Sequence, residues 1–153
     1  MNKLSYIPGD LVMTNGAPLG TEQDVVYRVT SSDPSKTLEL GDGTVMKGVV
    51  RLENLEGVEF GDKGYLFGDC CAWVKDIVPI PLTPEILEKN GWKLSNGFYW
   101  SPNEEGAVVG LSSQTGYVWN AYMRRYLLRS NINNVSDLQH LFFSLGINHE
   151  MEV

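Results

Sequence analysis

The sequence predicts an α+β fold in which antiparallel sheet regions are accompanied by two short helices. Three observations support this prediction. Short segments rich in β-branched and aromatic residues alternate with glycine-containing turns over most of the chain. A helix with its own start and stop signals falls at 83–91. A second segment, at 134–146, carries apolar residues at helical spacing.

The first half of the chain contains five segments that are typical of short strands. A turn at Pro8-Gly9 leads into the first of them, and Gly41-Asp42-Gly43 predicts a hairpin, because glycine tolerates the positive φ of tight loops. The polar stretch 31–34 should end the second strand, and a turn at 61–64 with a short apolar run at 65–67 precedes the last. The predicted segments are, in order, 8–13, 24–30, 37–40, 44–52 and 72–79.

Five short strands with glycine-rich turns predict a small closed or half-closed antiparallel barrel. The opening Pro8-Gly9-Asp10-Leu11-Val12 resembles the first strand of Src-homology-type small barrels, in which a glycine turn delivers the chain into the sheet. We therefore expect a Src-homology-like barrel lobe over 1–80, packed on an α+β lobe over 81–153.

The first helix is predicted by local signals between these two halves. Thr83 can cap the free N–H groups of a helix, Pro84 suits the first helical position, and Glu85 is favoured by the helix dipole. Asn90-Gly91 supplies the left-handed stop.

The second half continues with strands and a second helix. Ser95-Asn96-Gly97 predicts a hairpin between strands at 92–94 and 98–100. Further strands are predicted at 107–111 and 116–119, with 122–128 extending the sheet. A helix should start near Asn134 and stop at Gly146, with 150–153 forming a short final strand. The apolar face of this second helix is predicted to contain Leu138, Leu141, Phe142 and Leu145.

The chain is acidic, with nineteen Asp and Glu against twelve Lys and Arg and a net charge of −7. Such a charge repels nucleic acid and anionic membranes at long range. The N-terminal residues lack the apolar stretch of a signal peptide, and no later run is as long as a membrane span. We expect a cytoplasmic protein that does not bind membranes.

The residues that could support catalysis or metal binding are few. Cys70 or Cys71 with His140 and an acid, Asp69 or Asp137, would be the parts of a cysteine nucleophile, but no local nucleophile motif accompanies them. Adjacent cysteines with His140 or His149 give poor zinc geometry. The pair Glu104-Glu105 lies in a turn, where charges are usually solvated. We therefore predict a protein that is not an enzyme, with no catalytic residue, metal or cofactor.

An aromatic and arginine cluster is the candidate interaction surface, because aromatic residues and arginine are enriched at binding hot spots and can stack on bases. In the alternative interpretation the aromatic residues are core and the arginines are peripheral charges. As one strand, the stretch would place Tyr122 and Arg124 on one face and Met123 and Arg125 on the other. The candidate residues are Tyr117, Trp119, Tyr122, Arg124, Arg125, Tyr126 and Arg129.

Two motifs resemble a family of uncharacterised small proteins from phages, prophages and mobile elements of Bacteroides-type gut bacteria. They are IPLTPEILEKNGW at 80–92 and VSDLQHLFFSLG at 135–146, the latter with a final EMEV at 150–153. That family commonly has a histidine just before the Leu-Gln pair, where this chain has Ser136 and Asp137. The resemblance implies a bacterial host cell and a mobile-element setting, but no activity.

These observations favour a non-enzymatic interaction module that binds a protein partner or itself. The first alternative is a nucleic-acid-binding accessory protein that uses the region of Arg124, Arg125 and Arg129. The net charge disfavours that alternative, because such binding depends on neutralising phosphates. A cysteine-dependent enzyme is the second alternative.

The connection between the halves predicts how the chain unfolds. Residues 77–82 alternate apolar side chains with prolines, which stiffens the segment and offers aliphatic surface on both sides of it. We expect the halves to pack together, with Trp73 and Trp92 at the shared interface. Denaturation followed by tryptophan fluorescence and by circular dichroism should then give coincident transitions. Two separate transitions, or cleavage near Pro81 that releases two stable fragments, would contradict this expectation.

Overall fold

A computed structural model of the chain describes residues 5–16, 25–55, 69–103 and 106–153, except for the side chains of Asn54, Asp69 and Cys70. The chain divides into two compact units, Met1–Ile80 and Pro81–Val153. Each unit contains a five-stranded antiparallel sheet, and the described part of the second also contains two α-helices. The predicted α+β class is therefore confirmed.

The sheet of the first unit has the hydrogen-bonded strand order β4-β3-β2-β1-β5. Its strands are β1 (Leu11–Thr14), β2 (Tyr27–Glu39), β3 (Val45–Asn54), β4 (Asp69–Trp73) and β5 (Ile77–Pro79). Four strands follow one another as a meander, and β5 returns to pair with β1. Within the described residues β4 and β5 are the two edges, so the predicted closed barrel is not confirmed.

The strand β2 is longer than predicted, because it continues through Ser31–Pro34. Two register shifts against β3, between Val29 and Ser31 and between Asp33 and Thr37, accommodate this polar stretch. Proline lacks an N–H and is tolerated in strands at such irregularities. The predicted Gly41-Asp42-Gly43 hairpin is confirmed, with Gly43 at φ 86°.

A 3-10 turn interrupts the strand predicted over 72–79 and separates β4 from β5. This turn, Val74–Asp76, lets the chain change its partner strand from β3 to β1. The predicted turn at 61–64 and the apolar run at 65–67 lie outside the described residues. Alternating positions of the strands form a buried apolar core. The core residues are Val12, Val25, Tyr27, Val29, Val50, Leu52, Ala72 and Ile77.

The sheet of the second unit has the strand order β10-β9-β8-β7-β6, with every strand paired to its neighbour in sequence. Its strands are β6 (Lys93–Ser95), β7 (Phe98–Trp100), β8 (Gly110–Ser112), β9 (Trp119–Met123) and β10 (Tyr126–Ile132). The predicted β6–β7 hairpin is confirmed, and both turn residues, Asn96 and Gly97, have positive φ as a type I′ turn requires. The predicted strand at 116–119 begins only at Trp119, and β9 and β10 form a second tight hairpin.

The first helix, α1 (Pro84–Lys89), has the predicted caps. The Thr83 hydroxyl accepts a hydrogen bond from the Ile86 N–H, and the chain leaves the helix through Asn90 and Gly91 at φ 82°. The Tyr99 hydroxyl of β7 donates to the Glu88 carboxylate at 3.1 Å. Burial, together with this carboxylate, raises the pKa of Tyr99, so the hydroxyl keeps its proton and can donate to α1 up to a higher pH than an ordinary tyrosine.

The second helix, α2 (Val135–Ser144), starts and stops as predicted. Asn134 caps its N-terminus by accepting from the Asp137 N–H at 2.8 Å, and Gly146 ends it at φ 72°. Leu138 and Leu141 are buried, while Phe142 is half-buried and packs on Trp92. No helix in the described ranges is long and apolar enough to cross a membrane.

The final residues do not form the strand predicted over 150–153. Side-chain amides hold this segment instead. Asn90 donates to the Glu152 carbonyl at 2.8 Å and accepts from the Glu152 N–H at 2.9 Å. The buried Gln139 donates to the His149 carbonyl at 3.0 Å. The backbone groups that a strand would pair are thus bonded by helix-associated side chains.

The centre of the second sheet depends on a glycine. Gly110 pairs with Trp100 on one side and with Tyr122 on the other. A Cβ at this position would lie 2.8 Å from Cζ3 of the Trp100 ring, which covers the glycine. Phe98 packs against both Trp100 and Tyr122, with ring centroids 5.4 and 5.9 Å apart. The missing side chain therefore makes room for an aromatic cluster on one face of the sheet.

We predict that Gly110→Ala destabilises the protein by about 1–3 kcal/mol, because the added methyl group displaces the Trp100 ring. Urea denaturation followed by tryptophan fluorescence measures this change. Gly41→Ala is the matched control, since a Cβ there meets no atom within 4 Å and Gly41 has no positive φ. The control should be neutral or slightly stabilising. Equal stability of the two variants would contradict the packing described.

Candidate functional site

The candidate site is built on the β9–β10 hairpin at one edge of the second sheet. Met123 pairs with Tyr126, and Tyr122 pairs with Leu127, so Arg124 and Arg125 form a two-residue turn. The strand alternation predicted for 122–125 therefore ends at Met123. Arg124 has φ 58°, in the left-handed region, where residues other than glycine and asparagine are uncommon. Both arginines are exposed.

Trp119 is buried and does not form part of an exposed surface, with 3% of its area accessible. Its indole N–H donates to the Leu82 carbonyl at 2.9 Å, and its ring meets Tyr99 edge-on at 5.8 Å. It thus joins β9 to the segment that precedes α1. For this residue the structure favours the interpretation that the aromatic side chain is core.

The Arg129 side chain is hydrogen-bonded within the second unit. Its guanidinium donates to the Asp137 carboxylate at 3.0 Å and to the Asp137 carbonyl at 3.1 Å. The same carboxylate accepts from the Asn133 N–H at 3.2 Å. Asp137 lies in the first turn of α2, where the helix dipole favours an anion. Arg129 therefore holds the start of α2 against β10 and contributes little free positive charge.

The remaining aromatic candidates lie in different places. Tyr122 is half-buried in the cluster with Phe98 and Trp100. Tyr117 and Tyr126 are each 77% exposed. Tyr117 precedes β9, whereas Tyr126 follows the turn at its other end, so the length of β9 separates Tyr117 from Arg124 by about 20 Å. Among the candidates, Arg124, Arg125 and Tyr126 remain together as an exposed group.

A pocket of about 410 Å³ lies beside this group. Its lining is mostly apolar, and Arg124 and Tyr126 also contribute to its wall. The apolar lining residues are Ala107, Val108, Met123 and Leu128. These four residues were not predicted from the sequence, because they come from two separated segments and show no motif. We call Arg124, Arg125, Tyr126 and this pocket the hairpin-tip surface.

The charge of the hairpin-tip surface is positive, in contrast to the chain as a whole. The guanidinium groups of Arg124 and Arg125 form no hydrogen bond or ion pair with any other residue in the described ranges. The surface thus combines two guanidinium groups with exposed and recessed apolar area. Planar guanidinium groups of this kind match carboxylates by paired hydrogen bonds.

The cysteine and histidine candidates belong to different units, the cysteines to the first and the histidines to the second. Cys71 is exposed on β4, and the side chains of Asp69 and Cys70 lie outside the description. His140 is half-buried on α2, and the ring of His149 packs edge-on against Phe143. The described residues hold no group of three or more His, Cys, Asp or Glu side chains that could bind a metal ion. Glu104 and Glu105 also lie outside the description.

Comparisons with protein-family models, with curated proteins and with solved structures find no significant match to this chain.

Arg129, which is bonded to Asp137, and the exposed Arg125 should contribute differently to the free energy of unfolding. We predict that Arg129→Met destabilises the protein by about 1–2 kcal/mol, because the Asp137 carboxylate loses a charge-assisted partner. Arg125→Met, the matched control, should change stability by less than about 0.5 kcal/mol. Urea denaturation followed by circular dichroism measures both values. If both variants lost the same stability, Arg129 would have no special structural role.

Proposed function

We propose that this chain is a non-enzymatic protein-interaction module that contacts its partner through the hairpin-tip surface. The exposed Tyr126, at 77% accessible area beside two arginines and an apolar pocket, is the observation that carries this proposal. Tyrosine and arginine are over-represented among residues that dominate binding energy at protein interfaces. A pocket beside them allows a partner side chain to be buried.

Nucleic-acid binding is less well supported by the same geometry. Its affinity comes largely from basic groups that neutralise phosphates. Arg129 is bonded to Asp137, which leaves Arg124 and Arg125 from the predicted basic region. The net charge of −7 opposes further phosphate contacts.

We also propose two features that the sequence resemblances imply. The strand order β4-β3-β2-β1-β5 and the 3-10 turn before β5 support a Src-homology-like small barrel for the first unit. The motifs at 80–92 and 135–146 support a mobile-element protein of a bacterial host cell. Neither feature identifies the partner.

Site-specific photo-cross-linking tests the interaction. We expect p-benzoylphenylalanine in place of Tyr126 to give a discrete adduct with a protein, because this residue is 77% exposed at the edge of the pocket. The experiment is performed on purified protein alone, which reveals self-association, and in extracts of the source cell. Mass spectrometry identifies the adduct as protein or nucleic acid.

The matched control places the same cross-linker at Leu94, which is 61% exposed on β6 at the opposite edge of the sheet. This position should give no discrete adduct. Equal adducts from both positions, an adduct with nucleic acid, or no adduct from position 126 would count against the proposal. Turnover of hydrolase or nuclease substrates that a point substitution abolishes would also contradict a non-enzymatic function.

A further inference from the structure

The pocket of the hairpin-tip surface has the size and lining of a site for a recessed apolar group. Its volume of about 410 Å³ is within the range of small-ligand pockets in proteins. Ala107, Val108 and Leu128 give it an aliphatic lining, and Met123 adds a flexible thioether side chain. Methionine adapts its shape to different apolar partners, so the pocket can accept side chains such as leucine, methionine or phenylalanine.

The positive charge next to the pocket favours an acidic group on the ligand. The Arg124 side chain contributes to the pocket wall, and Arg125 follows it in the turn. In the described part of the chain neither guanidinium has an ionic partner. An acidic ligand would complement these two cations, and its carboxylates could accept paired hydrogen bonds from them.

The backbone at Arg124 supports a role for its side chain. Asn96 and Asn131 are the other described residues, apart from glycines, with positive φ, and asparagine tolerates that region well. Arginine is not favoured at positive φ in this way, because its long side chain does not bond to the local backbone as asparagine does. Glycine is the usual residue at the first position of a two-residue turn with this φ. A strained residue of this kind points to a constraint other than folding.

From these observations we infer that the pocket binds an apolar side chain of a partner protein's acidic segment, while Arg124 binds a neighbouring carboxylate of that segment. This inference rests on the proposed interaction function and specifies the chemistry of the partner. Tyr126 extends the contact beyond the pocket, because it contributes to the pocket wall and is 77% exposed. A short linear segment of the partner suits this surface, since a few consecutive residues can present one apolar side chain to the pocket and carboxylates to the arginine beside it.

A displayed library of random nonapeptides, panned against the full-length protein, tests this inference. We expect enriched peptides to place Asp or Glu within two positions of a leucine, methionine or phenylalanine. The most enriched peptide is then synthesised with a fluorescent label, and its affinity is measured by anisotropy. Replacing its acidic residues by amides, or its apolar residue by glycine, should weaken binding by at least about tenfold.

Variants of the protein locate the contact. Ala107→Leu, which fills the pocket, should weaken binding of the labelled peptide by at least about tenfold. Arg124→Gln should weaken it by at least about threefold, because an exposed arginine–carboxylate pair contributes less than a buried apolar side chain. Arg124→Gly should weaken it equally while melting at or above the wild-type temperature, because glycine relieves the left-handed φ. This variant separates lost binding from lost folding. Lys93→Gln removes the same charge from the opposite sheet edge and should change affinity by less than about twofold.

Several outcomes would overturn the inference. Enriched peptides without acidic residues, no enrichment, or peptide binding that Arg124→Gln and Ala107→Leu leave unchanged would each do so. Displacement of the peptide by single-stranded DNA at equal concentration would indicate a nucleic-acid site instead. If the cross-linker at position 126 still captures a protein, only the ligand class fails. If it captures none, the proposed function fails with it.

Discussion

The two helices of the second unit are too short to be stable alone, so side chains from the sheet must hold them. α1 has six residues and α2 has ten, whereas isolated helices shorter than about 12–15 residues are marginal in water. Trp119 of β9 bonds the segment before α1, and Arg129 of β10 bonds the first turn of α2. The base of the β9–β10 hairpin therefore holds the two helices, whereas the residues at its tip are exposed and available for contacts.

The features that the sequence predicted well are those whose chemistry is local. Thr83, Asn134 and the Asn96-Gly97 turn act on backbone groups within a few residues, so their types alone indicate helix starts and a hairpin. The roles of Trp119 and Arg129 could not be predicted from residue type alone. The hydrogen-bond partner of Trp119 lies 37 residues away, and the contact of Arg129 with Asp137 depends on the register of β10. The apolar pocket likewise requires the fold to bring separated segments together.

Two tight hairpins in one sheet show the difference between turn chemistry and function. The β6–β7 turn uses Asn96-Gly97, which suits its backbone. The β9–β10 turn uses Arg124-Arg125, although arginine at φ 58° is unfavourable and no sequence signal marked a turn there. Conflicts between local preference and global structure are expected at functional sites. The conflict falls at the residue that also contributes to the pocket wall, which is why Arg124 has the central place in the proposed contact.

The magnitudes of the available interactions define what kind of contact this surface can make. Burying one leucine-sized side chain contributes about 1.5–3 kcal/mol, and an exposed arginine–carboxylate pair about 0.2–1 kcal/mol. A millimolar complex already requires about 4 kcal/mol beyond the costs of association. The pocket and its arginines therefore give selectivity, and tighter binding needs additional area. Tyr126 can supply part of that area through its exposed side chain. The edge strand β10 is less suited to pairing with a partner strand, because two register shifts disrupt its backbone pattern.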